Sequence, residues 1–304
     1  MRIISLLPAA TEIVALLGAT DHLVGVTHEC DYPDVVGSRA RVTKSAIPHS
    51  GSHVIDPAAV DAAVRSAHTD GLALFTLDEA KIRALHPDVI LTQALCDVCA
   101  VSEADVRALA ARLDPPPTVI TLAGTSIDAI YDDIRAVAKA IDAEDEAQEI
   151  LIGLRDRVKH AHATLKAAEA PRPRVALIEW SDPLYVAGHW GPEQIKRAGG
   201  IDVIGVSGSH SEPVSMEALR ACDADIVLFA PCGYSVAAAA EEAARCMKLP
   251  EWSWLAGKQV WALDANGLTS RPGPRVVDGI EAMARIFNPE CFSPIDPRHA
   301  VRVA

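Results

Sequence analysis

From Ser126 to about Ala168 almost every residue is a good helix former, and the stretch lacks the Gly/Ser composition of a flexible linker. Ile127, Ile130, Ile134, Val137, Ala138 and Ile141 recur at helical spacing. Asp142 marks a break, and a second helix is expected from about Glu144 to Ala168, ended by Ala170-Pro171-Arg172-Pro173. A stiff piece of this length in mid-chain constrains the fold to two bodies with a helical connector between them.

The segments on either side alternate strand and helix. In the first part, strands are expected at Arg2–Leu6, Leu23–Thr27, around Leu72–Phe75, at Val89–Leu91 and at Thr118–Leu122. Helices are expected after Pro8, after the Asp56-Pro57 cap, from Asp78 through Leu85, and from Ser102 to Leu113. In the second part Arg174–Ile178 opens as Arg2–Leu6 does, and Leu219-Arg220-Ala221-Cys222-Asp223-Ala224-Asp225-Ile226-Val227-Leu228 echoes Ile82-Arg83-Ala84-Leu85-His86-Pro87-Asp88-Val89-Ile90-Leu91. A last strand, Gln259–Leu263, precedes a helix that ends near Phe287. The fold class is therefore α/β, with two Rossmann-like βα lobes and a long rigid helical connector. The expected boundaries are residues 1–125, 126–170 and 171–304, with a ligand cleft between the lobes. In such sheets ligands meet the carboxyl ends of the strands.

Composition removes several function classes. The 304 residues carry a formal net charge of −13, which argues against nucleic acid or an anionic membrane surface as partner. No apolar run approaches the roughly 20 residues that span a bilayer. Met1-Arg2 followed by Ile3 to Ala10 resembles a signal peptide, but Thr11-Glu12 interrupts the apolar run, the helix that follows has its own stop at Gly18, and no small-residue cleavage site appears. A cytoplasmic location is the expectation, with a periplasmic one as the alternative if the N-terminus was trimmed. The seven cysteines would then be mostly reduced. Cys222, Cys246 and Cys291 read as packing residues, whereas Cys30, Cys96, Cys99 and Cys232 follow strands.

The residues that carry chemistry lie in those strand-end loops. Thr92 to Ala100 sets Gln93, Cys96 and Cys99 after one strand, and His28-Glu29-Cys30-Asp31 follows another. In an extended stretch His28 and Cys30 would share one side, and Cys30, Cys96 and Cys99 would form a transition-metal set if they converged. In the second lobe, Trp180 and Gly188-His189-Trp190-Gly191 offer flat walls for a planar ligand. Pro231-Cys232-Gly233 lies where Gln93 to Cys99 lies in the first lobe. Asn266-Gly267-Leu268-Thr269-Ser270-Arg271, followed by Pro272 to Arg275, is a rigid basic joint at a helix start that suits an anionic or amide-rich ligand. Nucleotide-loop, nucleophile-elbow and His-Glu-x-x-His motifs do not occur.

These features together resemble the cobalamin-binding branch of the helical-backbone substrate-binding proteins of ABC transporters. The specific stretches are Ser5-Leu6-Leu7-Pro8-Ala9-Ala10-Thr11-Glu12, Val24-Gly25-Val26 through Asp31-Tyr32-Pro33, Pro87-Asp88-Val89-Ile90, Glu193 to Gly200, and Arg271 through Arg275. The resemblance covers Arg2 to about Pro289. It implies a non-catalytic protein that holds cobalamin or a related corrinoid or metal chelate between its lobes, with an ABC transporter permease as partner. It places Pro8, Ala9, Thr11, Glu29 and Gln93 near the ligand in the first lobe and Asn266 to Arg271 in the second. Glu29 and Gln93 stand where the family places aromatics, and Cys30, Cys96, Cys99 and Cys232 are additions, so the chain looks like a distinct subfamily. The other reading of the same residues is a cytosolic metal-binding or thiol-dependent enzyme on the same fold.

Overall fold

The computed structural model describes residues 1–45, 57–69, 74–94 and 101–304, with side chains of 67–69 excepted. Asp56, Leu72, Ala73, Cys96 and Cys99, singled out above, lie outside the described residues. By internal contacts the chain divides into two units. The first is Met1–Gly51, Ala62–Gly124 and Asp128–Ile152; the second is Ser52–Asp61, Thr125–Ile127 and Gly153–Ala304.

The first unit opens with β1 (Ile3–Ser5), α1 (Pro8–Leu16), β2 (Leu23–Val26), β3 (Ala40–Arg41) and β4 (Thr43–Ser45). Then come α2 (Pro57–Thr69), whose residues through Asp61 fall in the second unit, β5 (Phe75–Leu77), α3 (Glu79–Ala84), β6 (Val89–Gln93), α4 (Glu103–Ala110) and β7 (Thr118–Leu122). Its sheet runs β3-β2-β1-β6-β7, parallel throughout. The central strands β1 and β6 are mostly apolar and covered on both faces, as a parallel sheet requires, with Ser5 and Thr92 buried among them and Gln93 half-buried at the end. β4 and β5 form a separate antiparallel pair. Asp78 caps α3 by accepting the Lys81 backbone N–H at 3.0 Å.

α5 (Ile127–Ala140) and α6 (Glu144–Ala167) follow, and Asp142 between them takes the left-handed φ of 56° that ends one helix and allows the next. α5 belongs almost wholly to the first unit, while α6 passes from the first to the second at Ile152–Gly153. Leu151, Leu154, Val158, Ala161 and Leu165 form the buried stripe of α6.

The second unit contains β8 (Arg174–Ser181), β9 (Leu184–Val186), α7 (Gly191–Arg197), β10 (Ile201–Asp202), β11 (Glu212–Pro213) and α8 (Met216–Ala221). It continues with β12 (Ile226–Phe229), α9 (Val236–Cys246), β13 (Gln259–Leu263), α10 (Ala265–Leu268), α11 (Val276–Phe287) and β14 (Ala300–Arg302). β10, β8, β12 and β13 pair in parallel, and β9, β11 and β14 add antiparallel edges. Trp180 therefore does not lie in a loop. β8 runs on through Ser181 and folds back on β9, with Trp180 paired to Tyr185.

The echoed decapeptides adopt the same local structure. Each spans a short helix, a left-handed residue and a central strand; the left-handed residues are His86 at φ 43° and Asp223 at φ 44°. The Arg2 backbone N–H donates to Asp88 Oδ2 at 2.7 Å, and that of Arg174 to Asp225 Oδ2 at 2.8 Å. Each arginine side chain also donates to the backbone just past the helix that leads into the central strand, Arg2 Nε to Leu85 O and Arg174 Nε to Asp223 O.

Candidate functional site

In the second unit the carboxyl ends of β8, β12 and β13 bring four loops together. Cys232 N–H donates to Glu179 O at 3.1 Å, Gly233 N–H to Ser270 Oγ at 3.1 Å, and Asn266 N–H to Tyr234 O at 3.0 Å. Gln194, fully buried on α7, donates from Nε2 to both Leu268 O and Val276 O at 2.9 Å. It thereby pins the loop carrying Thr269 to the helix that starts at Gly191. Arg271 is 7 % exposed and donates to Asn266 Oδ1 at 2.8 Å, so it braces this loop. Asp264 lies beneath; burial pushes its carboxyl up, against the pull of the Gly267 N–H, Arg275 and Arg271.

A shallow hollow opens among these loops, lined by Leu177, Glu179, Ala187, Gly188, His189, Trp190, Gly191, Ala230 and Thr269. Its enclosed space is about 10 Å³, room for little more than one water, so only a small protruding group of a larger molecule can enter it. Trp190 is 6 % exposed, and its Nε1–H finds no partner among the described residues. His189 is held at φ 48° by its N–H to Ser209 O at 2.6 Å and by Gly208 N–H to its carbonyl at 2.7 Å. The preceding Gly188 admits no side chain, because a Cβ there would lie 2.4 Å from Ser209 O. The His189 ring stands 5.7 Å from that of Trp190 and 5.2 Å, edge-on, from that of His210. Burial lowers the His189 pKa, and the nearby His210 lowers it further, so the imidazole is neutral at physiological pH.

The expected residues of this unit thus assemble in part. His189, Trp190 and Thr269 line the hollow, and Ser270, Cys232 and Gly233 adjoin it. Cys232 is exposed. Gly267 and Leu268 are buried in α10. Trp180 does not line the hollow; its ring packs edge-on against Tyr234 at 5.7 Å and its Nε1–H donates to Asp182 O. His210 was not foreseen, because only the folded 203–211 segment brings it beside His189.

In the first unit a smaller hollow is lined by Leu6, Thr27, His28, Glu29, Thr43, Phe75 and Val101. His28 Nδ1 lies 2.7 Å from Thr43 Oγ1, and its ring stacks obliquely on Phe75 at 5.3 Å. His28 and Cys30 do not share one side, because residues 27–30 form a turn rather than an extended strand. Cys30 N–H donates to Thr27 O, and Glu29 N–H to Thr27 Oγ1. The turn sends the Cys30 thiol inward, 3.0 Å from Thr11 Oγ1, and both side chains are buried. Thr11 in turn bonds Ser5 Oγ at 2.8 Å. Ala9 is buried on α1, Pro8 is half-buried at its start, and Gln93 is half-buried at the end of β6. Among the described residues no three His, Cys, Asp or Glu side chains form a metal-binding group, and no helix is long and apolar enough to cross a membrane.

Comparison with known proteins agrees with this architecture. The periplasmic binding protein family model matches residues 3–255. The vitamin B12-binding protein of Vibrio cholerae is 25% identical over 280 residues, covering 92% of this chain and 86% of its own length. An uncharacterised ABC transporter substrate-binding lipoprotein of Bacillus subtilis is 23% identical over 297 residues, covering 96% and 81%. Among solved structures, a periplasmic heme binding protein of Pseudomonas aeruginosa superposes with a TM-score of 0.72 at 21% identity, covering 100% of this chain and 98% of its own. The periplasmic vitamin B12 binding protein of Vibrio cholerae superposes at 0.63 with 22% identity, covering 94% and 96%. The cobalamin-binding branch named from the sequence has its counterpart among these relatives. The expectation of a cytoplasmic location finds no support in their names, with which the periplasmic alternative agrees. The chain belongs to the periplasmic binding protein family and is, like its relatives, a binding protein rather than an enzyme.

Proposed function

We propose that the protein binds a corrinoid, cobalamin or a close relative, and delivers it to the permease of an ABC transporter. The observation that carries this reading is the loop cluster at the strand ends of the second unit. There a buried tryptophan, a neutral imidazole and Thr269 line a small hollow, and the Ser270 hydroxyl adjoins it. The corrin ring is flat and apolar at its faces and carries amide side chains at its rim. Aromatic faces such as Trp190 suit the former, and hydroxyls, backbone groups and Arg271 suit the latter. His28, Glu29 and Gln93 are the residues we assign to the ligand in the first unit. The similarity of nine-tenths of the chain to a vitamin B12-binding protein supports the same ligand class.

Hydroxocobalamin mixed with the purified protein is expected to remain bound after desalting, near one equivalent per chain, read from its visible absorbance. Haem is carried through in parallel. Retention of haem with no retention of corrinoid overturns the assignment.

A further inference from the structure

The Gly188-His189-Trp190-Gly191 segment is more constrained than packing requires. A non-glycine residue at positive φ is uncommon and strained, and such strain concentrates where a side chain must be presented in one direction. Here two backbone hydrogen bonds, from His189 N–H to Ser209 O and from Gly208 N–H to His189 O, hold the strained residue. A glycine that tolerates no Cβ precedes it. The ring so presented lines the hollow, and among the described residues neither of its nitrogens takes part in a hydrogen bond. An imidazole in its neutral form keeps one ring nitrogen with a free lone pair. Glu179 and His210 are the other titratable groups here, from the end of β8 and from the 203–211 segment.

We propose that His189 is an axial ligand for the metal of the bound chelate, so that the preferred cargo is a corrinoid whose cobalt carries an exchangeable water. This rests on the corrinoid reading above. The step is a substitution: the imidazole nitrogen donates its lone pair to Co(III), the cobalt–oxygen bond breaks, and water leaves with both of its protons. No electron is transferred and the charge of the complex is unchanged. The role asks for little room, because the ring nitrogen has only to reach the position that the axial water occupies. Neutral imidazole is a common ligand for first-row transition metals.

The test compares aquacobalamin with cyanocobalamin, whose cyanide blocks that position. On binding, the visible bands of aquacobalamin are expected to shift to those it shows in free imidazole solution, while cyanocobalamin is retained without a shift. Aquacobalamin is expected to bind about tenfold or more tightly than the cyano form. His189→Ala should abolish the shift and the preference. His189→Asn, which tolerates positive φ, should do the same if the effect is chemical rather than a collapse of the loop. Retention of both corrinoids without a shift, or a shift that survives in both variants, overturns the proposal and leaves the corrinoid reading standing. Retention of neither overturns both.

Discussion

Glu242 takes a carboxylate into the interior of the second unit. Its side chain has no exposed surface, and Arg245 donates to it from Nε and Nη2 at 2.8 and 2.7 Å. The Ser181 hydroxyl and the Cys246 thiol also point at it. Burial pushes the carboxyl up, but the hydrogen bonds from Arg245 and Ser181 outweigh it, and the net pKa lies below the ordinary 4.5. A depressed carboxyl pKa adds stability that is complete above the unfolded value and disappears as pH falls through the folded one. Glu242→Gln should therefore flatten the acid limb of the stability curve, measured by urea denaturation between neutral pH and about pH 3.5. Arg245→Met leaves the carboxylate without its counter-charge. Because Arg245 is 43 % exposed, water recovers part of the loss, and the expected cost is about 2–3 kcal/mol rather than the 3–5 of a fully buried pair. At this scale the sequence was uneven as a guide. His189 was legible because it stands in a glycine-flanked motif. Cys30 was misread as facing its neighbour His28, because a turn held by Thr27 looks in one dimension like the end of a strand.

The helices were read most completely. α5 and α6 carry their apolar periodicity openly, and Asp142 between them is one of the few non-glycine residues suited to a left-handed position. β8 was harder. Asp182-Pro183 resembles a stop, yet it is the turn of a hairpin that returns through β9. The β4–β5 pair was not legible, because it joins segments about thirty residues apart. Two helix ends give a paired test. α7 terminates at Gly199, φ 91°, where an added Cβ would lie 2.7 Å from a Leu165 methyl on α6. α1 terminates near Gly18, φ 75°, with open space around it. Gly18→Ala should cost only the left-handed backbone penalty, about 1–2 kcal/mol. Gly199→Ala meets only the movable end of Leu165, so its loss should exceed that of Gly18→Ala by no more than about 1 kcal/mol in thermal denaturation.

Over the molecule as a whole, the two-unit α/β architecture was legible from one faint echo and one long helical stretch. Where the proposed ligand residues converge was not, since the loops that carry them meet only after the sheet has formed. The Arg–Asp pairs at the start of each unit offer a test of equivalence. Asp88→Ala and Asp225→Ala each remove one acceptor from a backbone N–H, at about 0.5–1.5 kcal/mol apiece, and because they share no partner the double variant should lose the sum. Markedly unequal losses in urea denaturation would show that the two pairs do different jobs. The pairs also bear on how such a chain diverges. Each of these bonds has a main-chain atom at one end, which any substitution but proline leaves in place. Drift can then rewrite the residues between them at little cost, and ancestry survives in an arginine, an aspartate and a twist of the backbone after the rest of the likeness has worn away.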